Sequence, residues 1–438
     1  MKPSPAGIPL PVKYPSALTD QDVATVILAG GEGTRLFPLT SMRCKPAVTF
    51  GGRYRIIDIP IANSLMAKSA NIYVISQFLA STLNNYLAET YTPEHMQPKH
   101  LEILGPEETP LHQAGYLGTA DSVRKNLRHI LNSGAKYFFI LSGDQVYWMD
   151  LNEMLQFAIE KDADVTIATI VSREKEARRM GVMQIGSEAK ITDFYEKPQT
   201  DPLLDRFRIR KHIAHYHDKL NEGSFLGSMG IYLFKREALI KLLHDDPRED
   251  FGKHIIPTSL TCCNTFAYIF DGYWEDIGTI ASFYEANMKI VSGEMCLDLY
   301  SPKHPIFAHN RSLPSPKIVN TLIKNAIVCD GSVIEADLIE GSMIGAESHI
   351  GKHTRVVRSI ILGNNRNTDF SSRPSTIGSH CYIEKAIIDE GCSIGNNVTL
   401  VNTKNLDRYD SEKVVIRDGI IILRAGTKLD DNYELFAA

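Results

Sequence analysis

The stretch Leu28–Val48, LAGGEGTRLFPLTSMRCKPAV, decides how the rest of the chain is read. It follows an apolar run, Val23, Ala24, Val26 and Ile27, that reads as a buried strand, and then supplies Gly30, Gly31 and Gly33 before Thr34, Arg35 and Lys45-Pro46. Glycines after a strand let the backbone come close to a phosphate chain, and their exposed N–H groups become anion donors. Arg35 and Lys45 add two cations at the same mouth, so a nucleotide is the natural ligand of the loop. A Walker loop is excluded because Gly-Lys-Ser/Thr is missing. The dinucleotide fingerprint is excluded by the spacing of the third glycine.

The full GGxGTRL…KPAV string is more specific than its glycines. It resembles the start of the sugar-nucleotide pyrophosphorylases, which join a sugar 1-phosphate to a nucleoside triphosphate. The continuation Gly51-Gly52-Arg53-Tyr54-Arg55-Ile56-Ile57-Asp58 with Asn63 resembles their ADP-glucose branch, the glucose-1-phosphate adenylyltransferases.

Bulk composition is that of an ordinary soluble globular protein and excludes other classes. The chain has 438 residues, enough for two or three domains. Its 47 basic and 52 acidic residues give a formal net charge of −5, which makes no electrostatic case for nucleic acid. No apolar run reaches the ~20 residues needed to span a bilayer. The seven cysteines are odd in number and form no CxxC pair, so the expected compartment is a reduced cytoplasm. Residues 1–22 are Pro-rich, lack the apolar core of a secretory signal and are expected to be a flexible tail.

From 23 to about 300, strand candidates (23–30, 71–78, 136–144, 164–171, 229–234) alternate with helical segments such as 120–131. Near-continuous apolar strands between helices indicate a sheet covered on both faces, hence a doubly wound α/β domain with ligands at the carboxyl ends of its strands. Residues 201–222 break the pattern as an exposed insertion or amphipathic helix. Its His212, His215 and His217 have no cysteine beside them to suggest a metal. A Pro-rich junction, assigned as a linker over 301–320, precedes a change of period. Ile344, Ile350 and Val356 are spaced by six, as are Ile377 and Ile383, with Ser342, Gly345, Ser348, Gly351 and Gly378 beside them. Ile388 and Ile394 continue the spacing one residue out of phase. Such hexapeptides predict a left-handed parallel β-helix over 321–438, with 363–375 thrown out of one coil as a loop. This order of domains is also the layout of the resembled family.

The resemblance implies a reaction in which a phosphate oxygen of glucose 1-phosphate attacks the α-phosphorus of ATP, giving ADP-glucose and pyrophosphate. That chemistry needs alignment of two anions and neutralisation of their charge. Asp144 ends the apolar strand of FILSGDQVYWMD, and Asp276 lies in YWEDIGT before a helix over 281–291. The resemblance makes these two the catalytic carboxylates and the ligands of one Mg²⁺, a hard cation suited to oxygen donors. It gives Arg35 and Lys45 the phosphates that become pyrophosphate. It assigns Leu28, Ala29, Gly30, Gly31, Gly33, Thr34, Gln77, Gly118 and Thr119 to the nucleotide. Tyr116, Gly181, Glu196, Lys197 and Ser228 fall to the sugar phosphate. A homotetramer is implied, with the β-helix at its interface.

Three features depart from the family pattern. Gly115 stands where an aromatic residue is usual, in a loop implicated in relaying activation. Met42 stands where a lysine occurs in relatives activated by fructose 1,6-bisphosphate, and Thr49 where some carry histidine. Arg417 and Arg424 resemble the positions of paired lysines that bind 3-phosphoglycerate in photosynthetic relatives. Together with Arg55 they are candidates for an anionic effector, and solvated arginines on a terminal strand are the alternative. Two rival functions stand beside the main one: a pyrophosphorylase for UTP or dTTP, and a non-catalytic subunit of the same architecture.

Overall fold

The structure is a computed structural model. It describes residues 18–436 except 68, 93–95, 97–98, 107–114, 187, 212, 214–219, 295–298, 300–304, 308–311 and 365–374. The three histidines considered above, 212, 215 and 217, lie outside the described residues, as do most of the loop over 363–375 and residues 1–17 of the tail.

The first domain is built on a nine-stranded sheet. Its strands are β1 Val23–Ala29, β2 Asn71–Ser76, β3 His100–Leu104, β4 Tyr137–Ser142, β5 Val165–Ser172, β6 Gly181–Ile185, β7 Ile191–Glu196, β8 Phe225–Lys235 and β9 Thr265–Phe270. Their spatial order is β7-β6-β8-β4-β1-β2-β3, with β5 pairing both β8 and β9. β1 alternates its side chains between two cores. Val23 and Ile27 pack in one with Ile72, Val74, Phe139 and Leu141, while Ala24 and Val26 pack in the other with Tyr73, Ile75, Phe138 and Ile140. A strand apolar on both faces must be covered on both, and this is what the near-continuous apolar run encodes.

β4, β1, β2 and β3 run parallel, with Leu28 opposite Ser142 and Ala29 opposite Ser76. The loops after β1, β2 and β4 therefore leave one edge of the sheet side by side. The other half is not wound in the same sense. β8 is antiparallel to β4, β5 and β6, so the sheet is mixed. The helix read over 120–131 is two helices, Thr119–Lys125 and Leu127–Leu131, meeting at Asn126. Within the segment before β1, Asp20–Asp22 forms a 3-10 turn, and Asp22 pairs with Lys136 at 2.9 Å.

The second domain is a parallel β-helix of three sheets, whose first rung is Lys317–Ile318, paired with Val333–Ile334. Ile334, Ile339, Ile344, Ile350, Val356 and Ile361 fill its interior, followed by Ile377, Ile383, Ile388 and Ile394. Each of these is at most 3% exposed. The hexapeptide isoleucines thus all point inward, including the pair one residue out of phase. Glycines allow successive coils to touch: a Cβ on Gly351 would lie 2.7 Å from Gly378 C, and one on Gly378 would lie 2.5 Å from Gly395 O.

The two domains share a core. Met343, Ile360, Ile387 and Ile422, on one outer face of the β-helix, pack with Phe50, Ile56, Ile280 and Phe283. Beside it lies a buried ionic cluster. Arg43 pairs with both Asp389 and Glu390, its Nη1 standing 3.1 Å from Glu390 Oε2, and Thr49 Oγ1 donates to Glu390 Oε1 at 2.6 Å.

Candidate active site

The three parallel-edge loops close around a cavity of about 590 Å³. Leu28, Ala29, Gly30, Gly31, Gly33, Thr34, Arg35 and Lys45 line one side, and Gln77, Tyr116, Gly118, Thr119 and Asp144 line the other. Thirteen residues predicted for nucleotide, phosphate and catalysis therefore share one cavity. Gly33 shows why a glycine is needed here. Its φ is 63°, and a Cβ on it would stand 3.1 Å from Lys45 Cβ. Thr40 Oγ1 holds the Gly33 carbonyl at 3.0 Å and so pins the loop.

Lys45 is the electrostatic centre. Its Nζ lies 2.7 Å from Asp144 Oδ2 and 3.0 Å from Asp276 Oδ1. Burial works against the ammonium, but the two carboxylates outweigh it, and Lys45 titrates above the usual lysine value. Burial likewise opposes the Asp144 carboxylate, yet Lys45 and the Ser142 hydroxyl hold it below the usual range. Ser142 Oγ donates to Asp144 Oδ1 at 2.7 Å. Asp276 reaches the site from the short strand Trp274–Asp276, which pairs with Gln145–Tyr147 directly after Asp144. A Cβ on Gly278 would come 3.2 Å from Asp276 Oδ2 and 3.4 Å from Arg35 Nη2, so this turn brings Arg35 to the same place.

Gln77 is placed as expected at the end of β2, but its amide is engaged. Tyr116 N donates to Gln77 Oε1 at 3.1 Å, and Gln77 Nε2 donates to Tyr116 O at 3.3 Å. A Cβ on Gly115 would stand 2.5 Å from Gln77 Nε2. The missing side chain at Gly115 is thus a condition of this pairing. Tyr116 OH accepts from Asn126 Nδ2 at 2.9 Å.

Of the five sugar-phosphate candidates, Tyr116 lies in the nucleotide cavity, while Gly181, Glu196, Lys197 and Ser228 lie on the antiparallel half. Lys197 Nζ lies 3.2 Å from Glu196 Oε1. A Cβ on Gly181 would meet Glu196 Oε2 at 2.7 Å, so Gly181 is the floor under that carboxylate. Ser228 is 8% exposed, and its Oγ accepts from Gly230 N at 3.2 Å. Sequence reasoning missed Gln145, which joins the two halves. Its Nε2 donates to Met229 O at 2.7 Å and its Oε1 accepts from Trp274 Nε1 at 3.2 Å. Adjacency to Asp144 was the available signal.

The three candidate effector arginines are not brought together. Arg55 is buried. It donates to Ala47 O, lies 4.3 Å over the Tyr86 ring, and lines a cavity of about 310 Å³ between the domains with Cys329 and Asp330. Arg417 donates to Asp410 Oδ1 at 2.5 Å and to the Tyr409 and Ile416 carbonyls. Arg424 stacks 5.3 Å over Phe37 and lines a different cavity with Lys413 and Lys428. Neither departure nearby supplies a cation: Met42 is exposed, and Thr49 serves Glu390.

Among the described residues no group of three or more His, Cys, Asp or Glu could hold a metal ion. Asp144 and Asp276 offer two converging carboxylates, the donor set of a cation completed by substrate phosphates rather than by an all-protein cage. No helix among the described residues is long and apolar enough to cross a membrane.

A phosphate-sized glycine loop facing paired carboxylates at the carboxyl edge of an α/β sheet is the arrangement of an enzyme that transfers phosphoryl or nucleotidyl groups. Residues 24–293, more than half of the chain, match the family model described as nucleotidyl transferase, and the chain belongs to that family. Residues 311–433 match the model described as the GLGC left-handed parallel beta-helix domain, which supplies the hand of the second domain. The chain is thus a sugar nucleotidyltransferase carrying a β-helix of that type.

Proposed function

We propose that this chain transfers the adenylyl group of ATP to α-D-glucose 1-phosphate, releasing pyrophosphate and forming ADP-glucose, the glucosyl donor of glycogen or starch synthesis. The observation that carries the reading is Lys45 Nζ set between Asp144 and Asp276 opposite the glycine loop. Support for ATP and glucose 1-phosphate in particular comes from the Gly51–Asp58 string and Asn63.

Arg35 and the loop N–H groups would hold the β- and γ-phosphates, and Lys45 would stabilise charge as it develops on pyrophosphate. Arginine suits bidentate contact, lysine a point charge. Glu196 would accept from sugar hydroxyls, and Lys197 would grip the sugar phosphate, which presents the attacking oxygen. Asp144 and Asp276 would hold Mg²⁺, which when bound supplies charge neutralisation between the two anions. In this reading the protein is a cytoplasmic homotetramer that binds neither nucleic acid nor membrane, and an anionic metabolite regulates it through Arg55, Arg417 or Arg424.

The test is pyrophosphate release by the purified chain with glucose 1-phosphate, Mg²⁺ and each of ATP, UTP and dTTP, with and without 3-phosphoglycerate and fructose 1,6-bisphosphate. Preference for ATP is the expected result. Preference for UTP or dTTP would move the chain to a sister activity, and no turnover would make it a non-catalytic subunit.

A further inference from the structure

The helix Thr119–Lys125 starts without a side-chain cap. Its first free donors are received instead by a carbonyl from the other half of the domain: Ala120 N and Asp121 N donate to Glu249 O at 2.7 and 3.2 Å. The contact is returned two residues later, where Phe251 N donates to Thr119 Oγ1 at 3.0 Å. Arg124 fastens the same strap of chain, donating to the carbonyls of Leu243, Asp246 and Arg248 at 2.7–2.8 Å. The approach is close enough that a Cβ on Gly118 would lie 2.5 Å from Glu249 O, a backbone atom that cannot swing aside.

The strap then reaches the sugar-phosphate cluster. Gly252, the residue after Phe251, lies against Glu196: a Cβ there would stand 2.8 Å from Glu196 Oε2. With Gly181 on another side, the Glu196 carboxylate sits in a slot whose two walls lack side chains. A short route therefore runs from the Gly118–Thr119 wall of the nucleotide cavity to Glu196: a hydrogen bond from Phe251 to Thr119, then the close packing of Gly252 against the Glu196 carboxylate.

We propose that Thr119 is a positioning residue: through Phe251 and Gly252 its hydroxyl sets the place of Glu196, so that the nucleotide wall and the sugar-phosphate wall are ordered together. The inference rests on the catalytic reading given above. The Thr119 oxygen accepts from Phe251. Losing the acceptor leaves the Phe251 N–H without a partner and frees the strap to move away from Glu196.

The test compares Thr119→Val, which keeps the shape and removes the acceptor, with Thr119→Ser, which keeps the acceptor. Hydrogen exchange of the 248–253 amides is measured without substrates, and initial rates are measured with each substrate varied. Thr119→Val is expected to speed exchange of that segment and to raise KM for glucose 1-phosphate about tenfold, the scale of one lost hydrogen bond. Because Thr119 also lines the nucleotide cavity, KM for ATP is expected to move as well, so the proposal is read from the rise in KM for glucose 1-phosphate together with the exchange, and Thr119→Ser should keep the slow exchange of 248–253. Unchanged exchange in Thr119→Val, a rise confined to KM for ATP, or equal damage by serine would each overturn the proposal. A wild-type chain silent with every substrate pair would overturn the catalytic reading instead, and the exchange measurement would then decide the wiring alone.

Discussion

Lys45 Nζ donates to Asp144 Oδ2 at 2.7 Å across 99 residues of sequence, and the same nitrogen reaches Asp276 Oδ1 at 3.0 Å. The ammonium holds two carboxylates together that would otherwise repel each other in a partly buried place. Asp144→Asn should therefore lower the rate of pyrophosphate release by about 10²–10³-fold, the scale of removing one electrostatic contact from a transition state. The thermal unfolding midpoint should change little, because Asp276 still pairs with Lys45. A variant as active as wild type would remove Asp144 from the chemistry.

Asp58 is a fully buried carboxyl that accepts from Arg55 N at 2.7 Å, Tyr86 OH at 2.6 Å and Tyr91 OH at 2.8 Å. Burial pushes it up to about 6 despite these donors. Between the ordinary carboxyl value and about 6 the folded chain holds a proton that the unfolded chain releases. Stability from this group is thus fully present below that window and is lost as pH rises through it, by an amount on the order of 2–3 kcal/mol. The stability difference between wild type and Asp58→Asn, followed by urea unfolding from pH 4 to 7, should show that slope. A flat difference would mean Asp58 is not perturbed.

Arg43 on the first domain pairs with both Asp389 and Glu390 on the β-helix, and all three are about 1% exposed. Removing one side of a buried pair leaves charge without a partner. Arg43→Met should cost about 3–5 kcal/mol. Adding Asp389→Asn and Glu390→Gln should restore much of that loss. Both effects are read from urea midpoints, and a triple variant no better than Arg43→Met would show that the cluster acts through shape rather than charge.

Gly378 sits where one coil of the β-helix touches the next, and a Cβ on it would lie 2.5 Å from Gly395 O. Both neighbours are backbone, so neither can yield by changing rotamer. Gly378→Ala should destabilise by about 1–3 kcal/mol, as overpacking does in a tight interior. Gly105→Ala is a control for general handling of the protein, since nothing lies within 4 Å of a Cβ there and its φ is not in the left-handed region. Equal melting of the two variants would sink the argument from coil contact.

The sequence by itself determined five of the nine strands of the first sheet and the coil period of the β-helix, and it put the candidate site residues on a glycine loop and at strand ends. A run that is apolar on both faces, as in β1 with Thr25 as its one polar residue, has no stable place except between two covered faces, and isoleucines spaced by six next to glycines stack only as coils. The glycine loop with Arg35 and Lys45 was legible because its parts are local. The strand-end position of Asp144 was legible because strand ends face the ligand crevice. Only the tertiary structure decided the relations between distant segments. That β8 runs antiparallel, that Gln77 is held by the Tyr116 backbone, that Arg43 is neutralised by Asp389 and Glu390, and that Arg55, Arg417 and Arg424 lie apart with separate partners follow from contacts across tens to hundreds of residues. Periodicity records which face of an element must be buried. It does not record what buries it, because burial rewards any apolar surface of suitable shape, whereas a hydrogen bond or ion pair is made with one partner at one distance, and that partner is chosen only when the chain has folded.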